Sequence, residues 1–238
     1  LVTSTLLIGI LLSTLCQSSF ANETDEDIST EENEMTLGER MDNDPNVSIE
    51  EKWQYQLDEF DKIDAKIREN GIESTEKDPN ITRRITGTYP RRKGAILVTK
   101  DGKYGELIGH AGIVYDEDTT VESFGKGAPW KPAKDDGVQL YKNNWDIKKK
   151  TVYGLGVRVT TKAIDEKAAQ WCWNKIGTHY NWNVFDTERV DKLYCSQLVY
   201  RAYKAEANIN LNYNGGIVRP MDLVNSNLTH IIYTKGIY

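Results

Sequence analysis

The spacing of hydrophobic positions changes along the chain, and each spacing predicts a different kind of segment. Residues 6–12 form an unbroken apolar run, extended by Leu15 and Cys16, in a stretch without charge. The run is shorter than the ~20 apolar residues that span a bilayer and has the length of the apolar middle of a secretory signal. Ser19-Phe20-Ala21 follows with small side chains on either side of Phe20, so residues 1–21 read as a signal cleaved after Ala21. A buried apolar helix is the alternative. Leu15 is too large for the position before a lipidated cysteine, which argues against an anchor at Cys16. Residues 22–47 have no apolar period and few aliphatics. Such a stretch cannot bury enough apolar area to offset its chain entropy, so it is expected to be an acidic disordered linker. An acidic interaction tail is the other reading.

At residue 48 a helical period begins. Ser48-Ile49-Glu50-Glu51 is a capping-box pattern, and Trp53, Leu57, Phe60, Ile63 and Ile67 follow at helical spacing up to Gly71. This predicts an N-terminal helix over 48–71, packed on the domain as an arm. Residues 72–88 read as loop.

From residue 89 the pattern changes again. Residues 95–99 read as a buried strand, with Asp101-Gly102 as a turn signal. Residues 108–115 and 119–124 read as further strands joined by Asp116-Glu117-Asp118, and a loop containing Gly125, Gly127, Pro129 and Pro132 follows. A strand over 151–159, helices over 163–176 and about 194–205, and a strand over 230–234 complete the pattern. Strands, then helices, then a strand is the order of an α+β domain with an antiparallel sheet, here spanning 89–238.

Composition narrows the function classes. The chain has 238 residues, 39% hydrophobic and 28% charged, which excludes a multi-span membrane protein and a wholly disordered one. The formal charge of −6 argues against a nucleic-acid binder. That charge is uneven: residues 22–47 hold ten acids and one base, net −9, which leaves the rest at +3. Three cysteines are too few for a disulfide scaffold. There is no phosphate loop, dinucleotide fingerprint or His-Glu-x-x-His, and His110, His179 and His230 are too widely spaced for a common metal set, so neither cofactor nor metal is expected.

What remains is a Cys/His arrangement. Cys195 opens a predicted helix, where free N–H groups and the positive end of the helix dipole favour a thiolate, and where a backbone N–H can serve an oxyanion. Cys195, Leu198, Val199 and Ala202 also share one helical stripe, so by position alone Cys195 reads first as a small core residue. His110 lies on a strand between Gly109 and Gly112, whose small size leaves room for a ring. If the turn is centred on Glu117, paired positions share parity, and His110 and Glu122 face the same way. Glu122 can then orient the imidazole and stabilise its charged form. A hydrogen-bonded core histidine and an ordinary strand glutamate stay open as readings. Cys172, flanked by Trp171 and Trp173, reads as core, or as a disulfide partner of Cys195 in an oxidising compartment.

The chain resembles the permuted papain-like amidases of the YaeF/YiiX group, relatives of NlpC-type cell-wall peptidases. Lys93-Gly94-Ala95-Ile96-Leu97 is similar to the family's opening strand, with Lys93-Gly94-Ala95 departing from the usual Gly-Asp. Gly109-His110-Ala111-Gly112-Ile113-Val114 resembles the histidine strand, and Val121-Glu122-Ser123 the strand carrying the third residue. Tyr194-Cys195-Ser196-Gln197-Leu198-Val199-Tyr200 resembles the nucleophile helix, with Gln197 where Glu is usual, and Arg219-Pro220-Met221-Asp222-Leu223 resembles a C-terminal stretch. Histidine before cysteine is the permuted order.

The resemblance implies a permuted papain-like (NlpC-like) fold and a thiol hydrolase with Cys195 as nucleophile, His110 as base and Glu122 as its orienting group. The Cys195 N–H is then the expected oxyanion donor. Tyr180 is implied as a pocket residue, because relatives often carry a tyrosine before the cysteine helix. Trp130, Trp145, Trp182 and Tyr194 are candidates for an apolar wall. With the export signal, the resemblance implies an amide substrate in peptidoglycan-derived peptides, at the cell envelope or outside it, with membrane contact only through the signal. A lipid acyl hydrolase or acyltransferase, and a non-catalytic binding module, are the alternatives.

Overall fold

The computed structural model describes residues 35–70, 85–128 and 131–237. The expected signal over 1–21, the linker up to residue 34 and Trp130 lie outside them.

Among the described residues, seven antiparallel strands form one sheet. They are β1 (Ile85–Gly87), β2 (Ile96–Tyr104), β3 (Leu107–Val114), β4 (Thr119–Phe124), β7 (Gly137–Lys142), β8 (Val152–Val157) and β9 (Thr229–Lys235), in the order β1-β9-β8-β2-β3-β4-β7. A small hairpin of β5 (Gly127–Ala128) and β6 (Lys131–Pro132) lies in the glycine- and proline-rich stretch. The helices are α1 (Leu37–Asn43), α2 (Ile49–Glu69), α3 (Trp145–Lys148), α4 (Lys162–Trp173), α5 (Cys195–Ala207) and α6 (Pro220–Asn225). This is the α+β architecture with an antiparallel sheet that the pattern predicts.

The central strands are buried on both faces. Ile96 and Val98 join the main core with α4 and α5, while Leu97 joins a smaller cluster with Val114, Trp145 and Tyr233. The hairpin from β2 to β3 departs from expectation. Asp101-Gly102 does not end the strand: the register shifts between Thr99 and Lys103, and the strand continues to a turn at Gly105-Glu106. The Asp101 carboxylate accepts hydrogen bonds from Lys150 N, Thr151 N and Thr151 Oγ1, so the bulge is tied to the neighbouring chain and not turned out into water.

Helix α2 docks through polar groups as well as its apolar stripe. Ser48 caps it with Glu51 in the predicted box. Phe60 stacks on Tyr153, whose hydroxyl donates to Asp64 at 2.5 Å, and Lys100 pairs with Asp64 at 2.7 Å. Gln56, almost fully buried, accepts from Ile108 N at 2.9 Å and donates to the Glu106 carbonyl at 2.8 Å. One side chain therefore fastens the arm to the strand that carries His110.

The linker expectation fails over residues 36–43. Residues 37–43 form α1, capped by Thr36 and Glu39. Asp42 pairs with buried Arg219 and accepts from Ile217 N at 3.1 Å. This helix is held by hydrogen bonds and an ion pair, which a count of apolar residues does not register.

Candidate active site

The strand register sets the first half of the site. β3 pairs with β4 so that Gly112 faces Glu122, Ile113 faces Val121 and Val114 faces Thr120, a turn centred on Glu117. His110 and Glu122 therefore share a face, and the His110 Nε2 and Glu122 Oε2 atoms are 2.9 Å apart. The glycines have other purposes than room for the ring. A Cβ at Gly112 would lie 2.8 Å from Glu122 Cγ, so the missing side chain is what lets Glu122 lean along the strand. Gly109 has φ +85°, and a Cβ there would meet the Thr99 carbonyl oxygen.

Glu122 is saturated with donors. Besides His110, its Oε1 accepts from Trp145 Nε1 at 2.9 Å and from Thr120 Oγ1 at 2.5 Å. Burial works against the carboxylate, but the His110 bond and charge, with Thr120 and Trp145, outweigh it and hold the carboxyl below its ordinary value. The His110 ring is stacked on Phe124 with centroids 3.9 Å apart and lies near Trp145 at 5.5 Å.

The second half is the start of α5. Cys195 is its first helical residue, so its N–H and that of Ser196 have no backbone acceptor within the helix. Three segments pin this end. Ser123 of β4 donates to the Leu193 carbonyl at 2.5 Å, and Leu193 N donates to the His179 carbonyl at 3.0 Å. Val218 N donates to the Tyr194 hydroxyl at 3.0 Å, and Ser196 donates back to the Val218 carbonyl at 2.7 Å. Gln197 accepts from Tyr194 N and Asn181 Nδ2 and donates to the Asp186 and Arg189 carbonyls. An amide meets these two acceptors and two donors together, which a carboxylate cannot do. That is a physical reason for Gln at this position.

The two halves meet. The Cys195 thiol and the His110 imidazole lie close enough for each to shift the proton affinity of the other. For Cys195 burial raises the pKa, but the His110 bond and charge, the Ala111 N–H and Ser196 outweigh it and bring the thiol below its ordinary value. For His110 burial opposes the charged ring, and the bonds to Cys195 and Glu122 more than offset it, raising its pKa. The chemistry available is a thiolate–imidazolium pair held by a buried carboxylate. Cys172 and Cys195 are both free, so the expected disulfide between them does not form. Cys172 lies against the Leu198 carbonyl, and burial pushes its thiol far up.

Tyr180 is buried close enough to the sulfur to feel its charge, and its hydroxyl has no partner among the described residues. Trp182 packs edge-on against Tyr180 with centroids 5.0 Å apart. Tyr194 is an anchor for α5, and Trp145 is a donor to Glu122. Sequence reasoning missed the roles of Thr120, Phe124 and Trp145. Parity with Glu122 along β4 marks Thr120 and Phe124; nothing in the pattern marks the indole of Trp145.

The chain is 29% identical over 149 residues to the uncharacterized protein YycO of Bacillus subtilis (strain 168), covering 60% of this chain. It spans 56% of the length of that relative. The metalloprotein yiiX of Escherichia coli O157:H7 superposes with a TM-score of 0.47 and 14% identity, over 60% of this chain and 96% of that one. The family described as permuted papain-like amidase enzyme, YaeF/YiiX, C92 matches residues 105–225, which include His110, Glu122 and Cys195. The chain belongs to this family of permuted papain-like amidases.

Proposed function

We propose that this protein is an exported cysteine amidase that cleaves an amide bond in cell-wall peptides through a thioester. The observation that carries the reading is the buried set Cys195, His110 and Glu122, in which His110 is bonded to Glu122 and the neighbouring thiol and imidazole shift toward thiolate and imidazolium. The Cys195 thiolate adds to the amide carbonyl carbon. The developing oxyanion takes the Cys195 N–H at the start of α5, and the Tyr180 hydroxyl, without a partner among the described residues, is a candidate second donor. The imidazolium gives its proton to the leaving nitrogen, the C–N bond breaks, and an acyl thioester remains. His110 then takes a proton from water, hydroxide attacks the thioester, and the thiolate leaves. Glu122 keeps the ring oriented and compensates its charge throughout. A well-placed general acid–base group contributes about 10²–10⁴-fold, and each oxyanion donor about 10²–10³-fold.

Export and the peptidoglycan substrate rest on the apolar segment at residues 6–12 and on the family. The test is twofold. Iodoacetamide should label Cys195 rapidly and Cys172 slowly, and His110→Ala should abolish the difference. The purified protein incubated with muropeptides should release a new amine, and Cys195→Ala should not. Equal slow labelling of both thiols, or release of fatty acid from acyl lipids in place of amine from muropeptides, refutes the assignment.

A further inference from the structure

A concavity opens beside Glu122. A cleft of about 360 Å³ lies between the edge strand β7 and helix α3, within the size range of small-molecule sites. Its floor is aromatic, built from Phe124, Tyr141 and Trp145, and its rim carries Lys142, Lys148 and Lys149. Lys149 lies over the Trp145 ring, 5.3 Å from its centroid. Lys142 and Lys148 are exposed and form no ion pair with any described residue.

The lysines stand on a rigid platform. Buried Asn143 accepts from the Tyr89 hydroxyl at 2.6 Å and donates to the Glu117 carbonyl at 3.1 Å. Trp145 is fixed by its indole bond to Glu122. Lys235 donates from beneath to the carbonyls of Asp146 and Lys149, closing the end of α3. The acids nearby do not neutralise the rim. Glu122 is committed to three donors, and Asp146 does not line the cleft; its charge acts on Tyr89 and Tyr233. An anion seated at this rim gains the attraction of these positive charges. The aromatic floor and the exposed Leu140 at the side ask for an apolar body as well.

We propose that this cleft binds an organic anion, a phosphate or carboxylate head among the three lysines with an apolar stem on Trp145 and Phe124. The ligand is either a soluble organic anion or a lipid headgroup, since the two share this chemistry. Neither Lys142 nor Lys148 belongs to the Cys195–His110–Glu122 set, and the test reads binding rather than turnover, so it stands or falls apart from the amidase assignment.

The test is calorimetric titration of the full chain at low salt with hexyl phosphate, and with inorganic phosphate in parallel. Hexyl phosphate should bind saturably and more tightly than inorganic phosphate. The double variant Lys142→Ala/Lys148→Ala should weaken it about tenfold, roughly threefold for each exposed ion pair. Leu140→Asp, an exposed position, should weaken it comparably by placing an acid at the rim. Sedimentation with phosphatidylglycerol vesicles that hexyl phosphate reverses assigns the head to a lipid and supports the site. Sedimentation that hexyl phosphate leaves unchanged, absent saturable binding at millimolar concentration, or equal affinity in wild type and both variants overturns it.

Discussion

Replacing Glu122 by Gln probes the electrostatic core of the site while keeping its shape. The carboxylate takes three donors, from His110, Thr120 and Trp145, and an amide in its place has one acceptor oxygen for them. Its NH2 then faces a donor, and the charge that compensates the imidazolium is gone. Breaking a buried ion pair from one side costs about 3–5 kcal/mol. With about 1.4 kcal/mol for each factor of ten, even the low end moves the thiolate–imidazolium population by about two powers of ten. The assay is the iodoacetamide rate at Cys195, followed by mass spectrometry across pH. In the wild type the thiol lies below its ordinary value of 9.0, so the rate should be flat through the interval between that lowered value and 9.0. In Glu122→Gln it should fall on the order of 10²-fold at the low end of that interval and climb with pH toward an ordinary thiol. Stability carries the matching sign. The Glu122 carboxyl is depressed below 4.5, so its contribution is complete above 4.5 and disappears as pH falls through its lowered value. Wild type and variant should therefore converge in acid. An unchanged rate and pH profile in a variant with native circular dichroism would refute the assignment of Glu122.

Other outcomes follow from the packing. Gly112→Ala puts a Cβ 2.8 Å from Glu122 Cγ, so it should destabilise by about 1–3 kcal/mol in a urea melt and slow Cys195 alkylation. Asp42→Ala leaves the Arg219 guanidinium buried without its ion-pair partner, and the melting temperature should drop by the equivalent of about 3–5 kcal/mol. Asp222 is pushed up to about 7 by burial, which Arg219 only partly offsets. Its folded form holds a proton that the unfolded chain has lost, so it subtracts stability as pH rises from about 4 to 7. Denaturation of Asp222→Asn across that range should lack this downward slope, and an identical slope in wild type and variant would contradict it.

Much of the site was legible before any coordinates. The helical period from Trp53 to Ile67 and the alternation around His110 mark a helix and strands because each exposes a repeating face to one core. A two-residue period and a turn centred on Glu117 suffice to put His110 and Glu122 on one face, since side-chain parity along paired strands is a local property. Cys195 at a helix start is likewise a local feature.

Three-dimensional packing decided the rest. Edge strand β7, with Leu140 outward, is short and only partly buried, so its alternation is weak. Helix α1 owes its place to Asp42 and Arg219, which are 177 positions apart. Trp145 reaches Glu122 only because Asn143, Tyr89 and Lys235 seat α3 against the sheet. Periodicity reports which residues leave water, because burial of apolar area is nearly independent of partner. It says nothing of which donor meets which acceptor across the fold, because a hydrogen bond depends on a specific distance and angle that distant parts of the chain set together.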